Sequence, residues 1–319
     1  MQAAPTDTPD ISIVSPVYGC VGCLEDLVER TRASLQNSGK SFEIILVDDA
    51  SPDQSWGRIV ELAAHDPAVR GLRLSRNFGQ HPAISAGLRE ARGKVVVVMD
   101  CDLQDMPEEI PALLAAIDDG ADIALAMRID RQDSWLKRQG SRLFYAGLGW
   151  LTDSNYDHTT ANFGAYTRNV VDAINAMPEA DRFFPLLVRW VGFNTRKVAV
   201  THAKREVGKS TYSLRSLLRL ATQVVLSFSD KPLRLLVKAG MLFCVLAFAV
   251  VAFAVKSYFE GEINVAGYTS IIASMWLIGG IIIISLGFTG LYIGRIFNQV
   301  KGRPSHIIAT RVGGNAKAG

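Results

Sequence analysis

The sequence predicts an α/β protein in which a mostly parallel sheet with helices on both faces precedes interfacial helices and a two-helix transmembrane hairpin. Apolar strands and amphipathic helices alternate five times at short spacing in the first half of the chain. That alternation is typical of a parallel sheet. Two uncharged apolar stretches lie near the end of the chain, and each has about the length that crosses a bilayer.

The elements of the sheet follow one another closely. The predicted strands are residues 11–18, 42–47, 69–74, 95–99 and 122–127. The predicted helices are residues 24–36, 54–65, a helix that ends at Arg92, and 107–119. Two further short strands, 160–167 and 195–201, flank a compact helix at 182–190. We expect the helices to cover both faces of the sheet.

The strand at 95–99 organises the rest, because it is apolar throughout and is followed by Asp100, Asp102 and Asp105. Ligands bind at the carboxyl ends of the strands in open α/β sheets. Two carboxylates two residues apart can hold a hard cation that carries phosphate. Alternatively, Asp102 or Asp105 caps the helix that begins near Pro107.

The strand at 42–47 also ends in carboxylates, Asp48 and Asp49. They can accept hydrogen bonds from the base or ribose of a nucleotide. An Asx turn before the next helix explains either one equally well. The glycines form neither a dinucleotide fingerprint nor a P-loop.

A basic loop at 203–213 carries Arg205, Lys209, Ser210 and Thr211 around Gly208. Such side chains suit phosphate oxygens, although a solvated surface loop has a similar composition. The next stretch, 214–228, has one apolar face and one basic face, which predicts an interfacial helix. Residues 133–152 mix aromatic and basic side chains, which fits either an interfacial helix or a core-facing one.

The two apolar stretches are predicted to span a membrane at about 239–255 and 271–294. Basic residues precede the first and follow the second, whereas the connecting loop has little positive charge. The positive-inside rule therefore places both termini in the cytoplasm. The tail after Thr310 is expected to be disordered.

The composition excludes some functions. The net charge of +3 is too small to indicate a nucleic-acid partner, whereas the basic clusters beside the apolar stretches indicate a membrane surface. Four cysteines form no disulfide framework, and we interpret Cys20 and Cys23 as small loop residues. The first ten residues lack the features of a signal peptide, so we expect the first domain to stay in the cytoplasm.

Several segments together resemble the family 2 glycosyltransferases, in the branch that uses dolichyl or undecaprenyl phosphate. The resemblance covers nearly the whole chain from Ile11 to Ile308. It rests on the following segments in this order: SPVY, VDDASPD, RLSRNFGQHPAISAGL, VVMDCDLQDMPEEIP, KSTYSLRSLLRLA, SFSDKPLRL and GLYIGRIFNQVKGRP.

The resemblance implies a GT-A type, Rossmann-like fold and the inverting transfer of one sugar from a UDP- or GDP-sugar to a polyprenyl phosphate. It implies that Asp100, Asp102 and Gln104 hold Mg²⁺ or Mn²⁺. It implies nucleotide contacts at Pro16, Tyr18, Asp48, Asp49 and Asp100. It implies that Arg128, Arg205, Lys209 and Ser210 hold phosphates of the donor or acceptor, so that Asp100, Asp102, Arg128, Arg205 and Lys209 form the catalytic set.

The chain departs from the family pattern in two places. Asn162 lies where many relatives have an acidic residue, and Asp157 is a weak substitute for it. Gly19-Cys20-Val21 replaces the usual Asn-Glu-Glu. A non-catalytic membrane adaptor and a processive polysaccharide synthase are therefore the alternative hypotheses, and Arg189-Trp190 resembles part of a synthase motif.

The sequence therefore predicts five regions. They are a flexible amino terminus (1–10), a cytoplasmic GT-A catalytic domain (11–202), a basic loop with an interfacial helix (203–232), two transmembrane helices (233–297) and a cytoplasmic tail (298–319). We expect a multi-pass protein of the cytoplasmic membrane that binds a nucleotide sugar and a polyprenyl phosphate lipid. Two spans make a small membrane footprint, which is compatible with a homo-oligomer.

Overall fold

The computed structural model describes residues 8–128, 160–179, 182–201, 231–259 and 267–314. The chain divides into two compact units. Among the described residues, the first unit contains 8–128, 160–179, 182–201 and 303–314, and the second contains 231–259 and 267–302.

The first unit holds all the described strands together with six described α-helices. The strands are β1 (Ile11–Val17), β2 (Phe42–Asp48), β3 (Val69–Leu74), β4 (Val95–Val98), β5 (Ile123–Arg128), β6 (Thr160–Thr167), β7 (Thr195–Val200) and β8 (Ile308–Val312). The helices are α1 (Leu24–Leu35), α2 (Ser55–His65), α3 (Gln80–Glu90), α4 (Ile110–Asp118), α5 (Arg168–Ala176) and α6 (Phe184–Trp190). All of the strands and helices that the sequence predicts in the described parts of this unit are present.

The strands form one sheet in the order β7-β5-β6-β4-β1-β2-β3-β8. The four central strands β4, β1, β2 and β3 run parallel, and β5 pairs in parallel with β7. Strand β6 lies antiparallel between β4 and β5, and β8 lies antiparallel to β3. The prediction of a mostly parallel sheet is therefore confirmed.

The core lies on the central strands, because their residues are apolar on both faces. Every residue of β1 is buried, and Ile13 lies opposite Ile44 of β2 and Val97 of β4. Strands covered by helices on both faces have this near-continuous apolar sequence. Pro16, which has no N–H to donate, lies two residues beyond the last pairing of β1 with β4, at Val14 and Val98.

One buried carboxylate ties several strands together at the opposite end from the aspartates. Glu43 is 3% exposed. It accepts hydrogen bonds from the Ser12 hydroxyl at 2.7 Å, from Arg70 at 2.8 Å, and from the Arg92 backbone and guanidinium at 2.8 and 2.9 Å. Buried charges are tolerated when they are paired and hydrogen-bonded, so Glu43 has a structural role.

The expectation of a disordered tail is wrong for Arg311–Gly314. Residues 308–312 form β8, and Leu72 of β3 lies opposite Arg311. Val312 packs against the core, and the Arg311 guanidinium lies 2.9 Å from Glu90. Gly313 has a φ of 72°, and a Cβ added there would collide with the carbonyl oxygen of Val69. Residues 315–319 lie outside the described part.

The second unit contains the helices α7 (Lys231–Phe259) and α8 (Tyr268–Val300). Within the described residues, one helical segment is long and apolar enough to cross a membrane. It is Leu277–Val300, which has 24 residues and a mean hydropathy of 2.0, and its most apolar stretch contains no buried residue. This supports the second predicted span, whereas residues 239–255 lie in α7 and their crossing remains a prediction.

The Glu43 network predicts a large loss of stability on Glu43→Ala. The substitution leaves Arg70, whose side chain is 14% exposed, without this carboxylate. We expect the free energy of unfolding to fall by about 3 kcal/mol, because the Ser12 hydroxyl, the Arg92 N–H and the Arg70 guanidinium all lose an acceptor, although Arg70 keeps its ion pair with Glu90. Urea denaturation of the full chain in detergent, followed by tryptophan fluorescence, measures the loss. Glu29→Ala, at an exposed position, is the matched control and should have little effect.

The ionisation of Glu43 also predicts how the stability of the protein changes with pH. Burial alone would raise the pKa of Glu43, but hydrogen bonds from Ser12, Arg92 and Arg70 outweigh burial and hold the pKa below its ordinary value. The stabilisation is therefore complete above about pH 4.3, the ordinary value for glutamate. It is lost as the pH falls through the lower folded-state pKa. A difference between wild type and Glu43→Ala that stayed constant down to pH 3 would contradict this account.

Candidate active site

The carboxyl ends of four parallel strands bring four loops to one edge of the sheet. The loops follow β1, β2, β3 and β4 and cover residues 18–23, 49–54, 75–79 and 99–106. This edge is where open α/β sheets bind ligands. It contains Asp49, Asp100 and Asp102, as the sequence predicts.

The loop after β4 is folded around its own carboxylates. The N–H of Asp100 donates to Oδ2 of Asp105 at 3.2 Å, and the N–H of Gln104 donates to Oδ1 of Asp102 at 3.2 Å. Leu103 between them has a φ of 59°, so the chain turns sharply there. Asp105 is 3% exposed, whereas Asp100, Asp102 and Gln104 are half-buried. The structure thus keeps the three predicted ligands at the rim and places Asp105 beneath them.

Neither Asp102 nor Asp105 occupies the capping position of the helix that follows, so the capping alternative is wrong. The short 3-10 turn Pro107–Glu109 begins after Met106, which occupies the capping position itself. Asp105 supports the preceding loop through the N–H of Asp100 instead.

Asp49 lies beneath the loop that follows β3. Its two carboxylate oxygens accept the backbone N–H groups of Phe78 at 2.7 Å and Gly79 at 2.8 Å. Burial raises the pKa of Asp49, with a further contribution from Asp48, although these two hydrogen bonds oppose the shift. Asp49 therefore shapes the loop through the backbone, and its contact with a nucleotide remains a prediction.

Asp48 holds a turn. It is fully buried, and its Oδ1 accepts the N–H of Ser51 at 3.1 Å. Its Oδ2 forms an ion pair with Nε of Arg73 at 3.4 Å. Ala50 within the turn has a φ of 52°. The turn alternative is thus confirmed for Asp48, whose complete burial places it away from solvent.

The two other predicted nucleotide residues differ in exposure. Pro16 is buried within β1, whereas Tyr18, one residue beyond that strand, is 56% exposed. An exposed aromatic ring at this edge can pack against a planar base. Tyr18 therefore offers a contact surface, and Pro16 shapes the end of β1.

The loops after β1 and β2 are joined by polar contacts that the sequence analysis missed. The N–H groups of Gly19 and Val21 donate to the Ser51 hydroxyl at 3.3 Å and to Asp53 at 3.2 Å. Asp53 also accepts the Ser55 hydroxyl at 2.6 Å. Serine and aspartate are typical of such loop contacts. Their partners are distant in sequence, however, so a periodic pattern cannot predict these contacts.

Three thiols lie beside the aspartates. Cys20, Cys23 and Cys101 are free, and the Cys20 thiol donates to the carbonyl oxygen of Cys101 at 3.2 Å. A side-chain interaction with Cys101, together with burial, raises the pKa of Cys20, and burial raises the pKa of Cys23 to about 12. Both thiols are therefore protonated at neutral pH, which agrees with the interpretation of this pair as small loop residues.

Gln80, the first residue of α3, contacts an aspartate at this edge, and the sequence analysis does not single it out. Nε2 of Gln80 donates to Oδ1 of Asp100 at 2.6 Å. Gln80 belongs to the segment Arg76–His81, which follows a strand of the sheet. That position at the carboxyl end of a strand is the feature that could have indicated a role in the site. A glutamine, however, has no chemistry that by itself marks it as functional, and Gln104 is singled out only through the resemblance to the family.

The predicted phosphate-binding residues are mostly outside the described part of the chain. Arg205, Lys209 and Ser210 fall there, as do residues 133–152, Asp157 and the predicted interfacial helix at 214–228. The backbone of Arg128 ends β5 at the carboxyl edge of the sheet. Asn162 lies in β6 and is half-buried. These phosphate contacts remain predictions.

Comparison with known proteins identifies relatives over nearly the whole chain. The model of the family "Glycosyl transferase family 2" matches residues 12–186. The chain is 36% identical over 309 residues to an undecaprenyl-phosphate 4-deoxy-4-formamido-L-arabinose transferase of Edwardsiella ictaluri, with 96% of this chain and 95% of that protein covered. A protein of the same name from Proteus mirabilis is also 36% identical, with coverages of 95% and 94%.

The solved structures confirm the fold. A glucosyl-3-phosphoglycerate synthase of Mycobacterium tuberculosis, in complex with Mn²⁺, UDP-glucose and phosphoglyceric acid, superposes with a TM-score of 0.51. The match covers 68% of this chain and 78% of that one at 16% identity. At this identity the likeness shows the GT-A fold of the sheet and its helices.

The position of Asp49 predicts that its removal loosens the loop before α3. In Asp49→Ala the N–H groups of Phe78 and Gly79 lose both acceptors, and an unpaired buried donor costs about 1–3 kcal/mol. We expect the amides of residues 75–80 to exchange with deuterium about ten-fold faster or more, with Asp49→Asn intermediate. Hydrogen-exchange mass spectrometry measures this, and Asp26→Ala, at an exposed site, is the control. Unchanged exchange in Asp49→Ala would show that other contacts hold the loop.

Proposed function

Because the chain belongs to glycosyltransferase family 2, we propose that it transfers one sugar from a nucleotide sugar to a polyprenyl phosphate with inversion at the anomeric carbon. The observation that carries this proposal is the identity of 36% with undecaprenyl-phosphate transferases over nearly their full length. The carboxylates gathered at the edge of the sheet supply a site for that reaction.

The side chains at this edge fit a hard divalent cation, Mg²⁺ or Mn²⁺. Asp100 and Asp102 present carboxylates beside Gln104, and oxygen ligands are those that such ions prefer. Within the described residues, no group of three or more His, Cys, Asp or Glu side chains could hold a metal ion. A pair is nevertheless sufficient, because Mg²⁺ commonly takes one or two carboxylates together with substrate phosphates. When bound, the ion neutralises charge on the leaving nucleoside diphosphate.

The nucleotide lies, in this proposal, against the loops after β1 and β3. Tyr18 offers an exposed ring there. Asp49 fixes the backbone of Phe78 and Gly79 through hydrogen bonds from their N–H groups. Asp48 contributes to nucleotide binding indirectly, by holding the turn that ends at Ser51. The protein therefore binds the donor with preformed loops, and this lowers the entropic cost of binding.

The acceptor phosphate needs positioning more than activation. A phosphate monoester has a second pKa near 6, so its oxygens are largely ionised at neutral pH. A nucleophile that is already ionised gains most from correct placement next to the anomeric carbon. We assign that placement to the basic segment with Arg205, Lys209 and Ser210, together with Arg128.

The lipid acceptor requires that the protein lie at a membrane. Leu277–Val300 is apolar and long enough to cross it, and basic residues follow at Lys301 and Arg303. We propose a multi-pass protein of the cytoplasmic membrane in which residues 239–255 form the other span. The catalytic domain and both termini then lie on the cytoplasmic side, where basic residues are retained.

The names of the relatives select the first donor to test. Both are transferases of 4-deoxy-4-formamido-L-arabinose to undecaprenyl phosphate. We propose a nucleotide-linked sugar of this type as the donor, with other UDP- and GDP-sugars as comparisons. A homo-oligomer remains a prediction.

The transfer reaction predicts a lipid-linked product that depends on a divalent cation. Purified full-length protein with undecaprenyl phosphate, Mn²⁺ and labelled nucleotide sugars should give one labelled lipid that organic solvent extracts. Chelator should abolish it. Asp102→Ala should lower turnover by about 100-fold or more, since changing even the partners of metal ligands costs 10- to 100-fold. The control Asp172→Ala removes a carboxylate that is 62% exposed on α5.

Three outcomes would contradict parts of this proposal. Full turnover in Asp102→Ala would remove the metal site from the mechanism. Products that carry many sugars on each lipid would identify a processive synthase. A folded protein that shows no cation-dependent binding of any nucleotide and no product would support the adaptor hypothesis instead.

A further inference from the structure

The contact between Gln80 and Asp100 joins two loops of the carboxyl edge. Nε2 of Gln80 lies 2.6 Å from Oδ1 of Asp100. The two residues belong to different strand-to-helix connections, one after β3 and the other after β4. Gln80 is exposed and Asp100 is half-buried, so burial does not force this contact.

The backbone holds Gln80 where it can reach Asp100. Asp49 accepts the N–H groups of the two residues that precede Gln80, Phe78 and Gly79. Gly79 has a φ of 101°, a conformation that glycine adopts readily and other residues do not. The carbonyl oxygen of Gly79 then accepts the N–H of Ala83 at 3.1 Å, in the first turn of α3. The reach of Gln80 is thus set before any ligand binds.

A hydrogen bond from an amide can orient a carboxylate without neutralising it. Each carboxylate has about four lone-pair sites on its two oxygens, so a donor to Oδ1 does not prevent Asp100 from also holding a cation. A carboxamide brings no charge that would repel the ion. Carboxylates that bind metals are commonly held by such a second hydrogen bond, and its loss weakens metal binding by about 10- to 100-fold.

We propose that Gln80 is a positioning residue that orients the Asp100 carboxylate toward the divalent cation. This inference rests on the metal site of the proposed function. The contact acts through the ligand and not on the substrate, so removing it weakens the binding of the cation. Saturating cation then restores turnover.

Mn²⁺ is the probe, added to the full chain in detergent both alone and with UDP or GDP, and the free ion is measured by electron paramagnetic resonance. We expect the dissociation constant for Mn²⁺ to rise by about 10- to 100-fold in Gln80→Leu. Gln80→Asn keeps the carboxamide but is one methylene shorter, so it should weaken binding in the same direction. Gln36→Leu makes the same chemical change at another exposed position and should bind Mn²⁺ like wild type.

Gly79→Ala tests the same idea without changing a polar side chain. A non-glycine residue at this φ is strained, so the start of α3 should shift and Mn²⁺ should bind more weakly. In the transfer assay, Gln80→Leu should need more Mn²⁺ for half-maximal rate and reach the wild-type kcat at saturation. A general structural defect would lower kcat at every Mn²⁺ concentration.

The possible failures are distinguishable. If wild type binds no Mn²⁺ either alone or with UDP or GDP present, the metal site of the proposed function is wrong and this inference falls with it. If wild type binds Mn²⁺ and Gln80→Leu binds it within two-fold of wild type, the proposed function stands and the positioning role of Gln80 is overturned.

Discussion

The carboxylate of Asp49, buried at the end of β2, is the contact on which the geometry of the site depends. It is 3% exposed and accepts the N–H groups of Phe78 and Gly79. A buried carboxylate needs hydrogen-bond donors, and the nearest ones are in the backbone of the neighbouring loop. Satisfying Asp49 therefore fixes where α3 begins, and Gln80 at that point reaches Asp100. Three successive loops are coupled through one buried charge.

The sequence predicts the central sheet well because its signal is local. Four consecutive valines at 95–98, or the apolar run of β2, identify a buried strand without knowledge of its partners. Strand β8 has no such signal, since it holds five residues of which three are exposed. It forms because β3 offers an unpaired edge and because Gly71 leaves room for the side chain of Val312. Pairing between residues so far apart in sequence cannot be obtained from periodicity.

The candidate site likewise has one part that the sequence predicts and another part that only the fold shows. The placement of Asp100 and Asp102 at the carboxyl edge could be predicted, because both directly follow an apolar strand whose end lies there. The different roles of Asp48 and Asp49 could not be predicted, because the two residues are adjacent and chemically identical. Only the fold shows that one holds a turn through Ser51 and the other a neighbouring loop. Residue type indicates what chemistry is available, and the backbone contacts decide which residue can use it.

The two ends of the parallel strands use carboxylates for different purposes. At the amino end, Glu43 is surrounded by donors from Ser12, Arg70 and Arg92. The charge of Glu43 is compensated within the fold, so this carboxylate stabilises the sheet and is not available to a ligand. At the carboxyl end, Asp100 and Asp102 are half-buried and receive backbone and carboxamide donors. These donors are neutral, so they orient the two carboxylates without neutralising them, and ionised carboxylate oxygens are the ligands that a hard cation carrying a diphosphate prefers.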